Sequence, residues 1–137
     1  MKLSSVNTVA GVLAGIKINR ITDKAVKTAL VNDYLHLRRF VKDADEQRNE
    51  LIRKFQEDWA DELAPVDALR KANKPVVGHD EYLDAEKDAQ KAISDIFSRE
   101  VDVSLKPVGV DAFLAACGGE ELTLEQIAVL QESGIIE

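Results

Sequence analysis

His36, His79 and Cys117 are the side chains best suited to proton transfer, metal ligation or nucleophilic attack. Each lacks the companions its chemistry needs. His79-Asp80-Glu81 sets an imidazole beside two carboxylates, but no second spaced His or Cys completes a metal site, and acids in a first helical turn account for Asp80 and Glu81. Cys117 precedes Gly118 and Gly119, whose amides could face an oxyanion. The run Ala115-Ala116-Cys117-Gly118-Gly119 reads more simply as a helix end with a small buried side chain and a glycine cap. His36, within Tyr34-Leu35-His36-Leu37, is turned off the apolar stripe and is expected to face solvent. There is no Gly-rich phosphate loop, Gly-x-Ser-x-Gly elbow, His-x-x-x-His or Cys-x-x-Cys. No catalytic, cofactor or metal residues are assigned, and a non-enzymatic protein is expected.

Charge is the next feature that could recognise a ligand. The chain has 137 residues, 45% hydrophobic and 31% charged, with a net charge of −7. That charge is segregated. Residues 1–42 carry eight Lys or Arg against two Asp, residues 43–106 carry ten against seventeen acids, and residues 107–137 carry six acids and no base. Lys17, Arg20, Lys24 and Lys27 are candidate anion contacts at a turn and helix start, a geometry suited to the phosphates of a nucleic acid. The sequence has neither a recognition-helix pattern nor an aromatic stacking platform, so nucleic acid is the alternative partner rather than the first. The acids between 43 and 62 alternate with Lys42, Arg48, Arg53 and Lys54, the pattern of a solvated helix face with pairs such as Glu50 with Lys54.

Positioning these residues requires helices. No Gly or Pro falls between 23 and 63, and Leu30, Tyr34, Leu37, Val41, Ala44, Leu51 and Phe55 recur in a heptad stripe with Arg48 in its gap. This predicts one long amphipathic helix capped by Thr22. Pro65 and Lys71-Ala72-Asn73-Lys74-Pro75 mark a connection, and residues 80–99 form a second helix folding back as an antiparallel hairpin. Leu30, Tyr34, Leu37, Val41, Arg48, Phe55 and Trp59 form the candidate partner surface, for another protein or for a homodimer along the stripe.

A short helix capped by Ser4 or Ser5 precedes the hairpin. Alternation at 16–19 and in Val101-Asp102-Val103-Ser104-Leu105 predicts two strands pairing as a small sheet. Asp111 opens a short helix, and Thr123-Leu124-Glu125-Gln126 is a capping box opening the last one. The expected fold is therefore α+β, mainly α, in a single domain 1–137, with a C-terminal helical segment at 111–137. The longest weakly polar stretch, residues 9–16, is too short to span a membrane; a single Cys and no Asn-x-Ser/Thr site favour the cytoplasm.

This order of signals resembles a family of small proteins of tailed bacteriophages and prophages, encoded among tail and structural genes. The resemblance rests on Met1-Lys2-Leu3, a Lys-Ile segment at Ile16-Lys17-Ile18, and Arg48-Asn49-Glu50-Leu51-Ile52-Arg53-Lys54-Phe55, which is similar to the family's Arg-x-x-Leu-Ile-x-Lys-Tyr run. Glu100-Val101-Asp102-Val103 and the Leu122-Thr123 to Leu130 pattern complete it. The chain departs from the family in continuing helically from 56 to 63, where the family commonly has Gly and acidic turn residues. The resemblance implies an accessory role in virion assembly, at the tail or head-tail stage, in the bacterial host cytoplasm or on the virion. It brings no catalytic residue.

Overall fold

In a computed structural model the described residues are 1–117 and 122–137, and among them six α-helices and one 3-10 turn occur. The chain divides into two compact units, Met1–Asp43 with Arg99–Glu137, and Ala44–Ser98. Helix α2 (Lys24–Asp58) contributes residues to both.

In the first unit, α1 (Leu3–Ala14) buries Leu3, Val6, Val9, Ala10 and Leu13, the i, i+3, i+4 face of an amphipathic helix. Lys2, not Ser4 or Ser5, is its N-cap, and the Leu3 amide donates to the Arg99 carbonyl at 3.0 Å. Asp23, not Thr22, caps α2: its Oδ1 accepts the Ala25 and Val26 amides at 2.8 and 3.1 Å. Thr22 turns instead to Ala116, whose carbonyl accepts the Thr22 amide at 3.1 Å. α5 (Val110–Ala116) and α6 (Leu124–Glu132) complete the unit. The Thr123–Gln126 capping box forms in both directions, at 3.0 and 3.1 Å. Gly134, at φ +86°, takes the left-handed conformation that ends the chain's last helical turn, so Ile135 and Ile136 leave the helix and bury in the core. The expected glycine cap at Gly118 and Gly119 lies outside the described residues.

The predicted two-stranded sheet is absent. Residues 16–19 form a bend leading into a 3-10 turn, Ile18–Arg20, which leaves Ile18 exposed. Residues 101–105 are extended, with Val101, Val103 and Leu105 packed against the core, but their backbone partners lie elsewhere. The Val101 amide donates to the Met1 carbonyl at 2.8 Å, the Ser104 amide to His36 and the Lys106 amide to Asp33. Alternation thus reports one packed face; here side chains of α2 take the donors a neighbouring strand would have taken. Two isolated bridges, Lys2 with Glu100 and Val108 with Ile136, are the β pairing among the described residues. The architecture is helical rather than α+β.

In the second unit, the expected continuous helix to residue 63 stops at Asp58. Trp59 leaves helical geometry at φ −118° and ψ 24°, and α3 (Ala60–Lys71) begins after it. Pro65 therefore lies inside a helix rather than in a connection. It leaves the Asp61 carbonyl without an intrahelical donor, which the exposure of Asp61 makes tolerable. α4 (Asp80–Ser98) follows. Tyr82, 1% exposed, anchors this unit: the rings of Phe55 and Trp59 lie 5.3 and 5.9 Å from it, and Val66 and Ile96 are buried as well.

Candidate functional site

The end of α1, the 3-10 turn and the start of α2 enclose an apolar groove of about 260 Å³ in the first unit. α1 supplies Leu13 and Ala14, the bend supplies Ile16, Ile18 and Ile21, and α2 supplies Leu30, Val31 and Tyr34. A second, shallower trough shares the Ile18, Ile21 and Val31 wall and adds Lys24, Lys27, Thr28 and Asn32. A third along the same helix adds Lys106 to Lys24 and Asn32. The arrangement sets an aliphatic slot directly beside ammonium groups, so it can hold an apolar side chain while facing anionic neighbours.

Two of the four candidate anion contacts, Lys24 and Lys27, line this place. Lys17 is exposed between Ile16 and Ile18, and Lys24 and Lys27 border the groove's outer wall. Arg20 is exposed on the 3-10 turn. Lys106 joins Lys24 through the fold and had no sequence signal, being more than seventy residues away.

The candidate partner stripe is divided between the two units. Leu30 and Leu37, 4% and 0% exposed, lie in the core of the first unit, with Tyr34 and Val41 packed half-buried against it. In the second unit Arg48 reaches Asp45 on its own helix at 3.4 Å, while Phe55 and Trp59 cover Tyr82. Glu50 pairs with Arg53 rather than Lys54, and Arg53 also reaches Glu57.

The histidines take structural partners. His36 is half-buried rather than turned to solvent: Nε2 accepts the Ser104 amide at 3.1 Å, and the ring meets Phe40 edge-on at 5.4 Å. His79 Nδ1 lies 3.2 Å from Glu62. Cys117 is buried. Among the described residues no cluster of three His, Cys, Asp or Glu is placed to hold a metal ion, and no helix is long and apolar enough to cross a membrane.

Asp33 is the polar residue that sequence reading missed. It is 3% exposed, Oδ1 accepts the Lys106 amide at 3.1 Å, and Oδ2 is buried without a hydrogen-bond partner. Burial raises its pKa above the ordinary aspartate value, and the Lys106 amide and His36 partly oppose the shift. Its only sequence signal was an acid one turn before His36 on the helix face that carries Leu30 and Leu37.

No family model, curated protein or solved structure matches this chain.

Proposed function

We propose that this chain is a non-enzymatic phage- or prophage-encoded accessory or structural protein that acts by protein–protein interaction during virion assembly, at the tail or head-tail stage. It works in the bacterial host cytoplasm or on the virion. The observation that carries the interaction reading is the apolar groove beside Lys24 and Lys27, an open, preformed slot for a partner's side chain. The setting rests on the resemblance to the phage family. Co-sedimentation tests it: a tagged chain should travel with particles or assembly intermediates after phage induction, and a chain left entirely in the soluble fraction refutes the reading. Capsid, portal or tail genes beside its own gene support the setting, and their absence counts against it.

Lys24, which lines one trough with Lys27 and the next with Lys106, favours one second reading, an accessory protein that contacts nucleic-acid phosphates. The unit that holds them carries ten bases against eleven acids, so its overall field offers little attraction. A DNA or RNA titration at low ionic strength with no salt-dependent binding removes this reading.

A further inference from the structure

The groove on the first unit has a complement on the same unit. Leu124, at the first position of α6, is 86% exposed, the highest value among the exposed large hydrophobic residues. It stands in the sequence Glu120-Glu121-Leu122-Thr123-Leu124-Glu125, within a C-terminal stretch that has six acids and no base. The capping box fixes the backbone from which Leu124 projects, so the side chain is presented rather than free to collapse onto its own surface. The groove has the opposite character, with aliphatic walls at Ile16, Ile18 and Val31, and Lys24 and Lys27 line the trough that shares its Ile18 and Val31 wall.

Resting on the interaction reading above, we propose that the groove docks Leu124 of a second copy of this chain, with Glu125 facing the lysines. Size and charge both point to this occupant. A cavity on the order of 150 Å³ takes a benzene-sized group, so about 260 Å³ admits a leucine side chain with room for a neighbour. An acid-flanked leucine suits a lysine-edged slot, whereas the lysines would repel a basic segment. The contact joins two different patches, so it closes as a mutual pair or continues from copy to copy. The stripe on α2 does not compete for this role, because Leu30 and Leu37 are already buried within the unit.

Sedimentation velocity of the full chain from low to high micromolar concentration tests the proposal. The expected result is a mass that rises with concentration and falls back as salt is added. Leu124→Asp and Ile18→Asp, each at an exposed position, should weaken association about tenfold or more. Each variant should stay folded by circular dichroism, and an equimolar mixture of the two should recover one contact and form heterodimers. Lys27→Glu should weaken the contact and Glu125→Lys in the same chain should restore it. A wild-type chain that remains monomeric throughout overturns the proposal, as does self-association indifferent to Leu124→Asp. Either failure leaves the virion co-sedimentation result standing separately, because travelling with particles requires a partner protein and not a second copy of this chain.

Discussion

The Asp33 carboxylate holds the backbone amide of Lys106 at 3.1 Å, across 73 residues of sequence, with one of its oxygens on the hydrogen bond and the other buried without a partner. One turn along α2, His36 holds the amide of Ser104 in the same way. These two side chains keep the extended residues 101–106 against the helix, where a strand would otherwise be needed to satisfy the same donors.

Replacing Asp33 separates its acceptor role from its charge. Asp33→Ala strands the Lys106 amide and should be less stable than Asp33→Asn, which keeps an oxygen at that point, by about 1–3 kcal/mol. Urea unfolding of the two variants at neutral pH checks the order, and equal midpoints would show that the bond is dispensable.

The charge of Asp33 has a pH signature. Burial raises its folded pKa above the unfolded value, so the folded state binds the proton more tightly. Its favourable contribution is fully present below the unfolded pKa and is lost as pH rises through the folded pKa. The stability of the wild type relative to Asp33→Asn should therefore increase as pH falls through the carboxylate range. Urea midpoints measured at several acid pH values read this directly, and a wild type that loses stability relative to Asp33→Asn on acidification contradicts it.

His36 accepts at Nε2, so the neutral ring must carry its hydrogen on Nδ1. Nitrogen-15 NMR should show that tautomer at neutral pH. His36→Phe keeps an aromatic ring beside Phe40 but loses the acceptor, which should cost about 1 kcal/mol. A ring protonated at Nε2 would exclude the Ser104 bond.

Tyr82 is the anchor of the second unit, and Trp59 is its built-in probe. Tyr82→Ala should destabilise that unit by about 3 kcal/mol or more in unfolding followed by Trp59 fluorescence. Tyr82→Phe keeps the buried ring against Phe55 and Trp59 and should cost much less than Tyr82→Ala. A wild-type midpoint for Tyr82→Ala would mean that the buried ring contributes little.

Arg70 makes a two-point bond to Glu86, with nitrogen–oxygen distances of 2.9 and 2.7 Å. The guanidinium holds the Glu86 carboxyl below its usual range, so this contribution is present above the unfolded pKa and disappears as pH falls through the folded one. Arg70→Ala should flatten the acid-side loss of stability of the second unit, and the difference from wild type should shrink in high salt. An unchanged pH profile would show that solvent screens the pair completely.

The sequence by itself determined the helices and the absorbed faces. The stripe through Leu30, Leu37 and Ala44 predicts α2 because a 3.6-residue period turns those positions to one side, and Thr123 with Gln126 announces α6 through bonds made within four residues. Such signals are local, so one segment carries them whole. Three features belonged to the tertiary structure alone: the break at Trp59, where the indole meets Tyr82; the extended run 101–106, bonded to Asp33 and His36 rather than to another strand; and the groove, which needs Leu13, Ile18 and Val31 from three elements. Alternation in Val101, Val103 and Leu105 says which side is buried but not which group receives the amides between them. That choice depends on partners some seventy residues away, which only packing brings within hydrogen-bond reach.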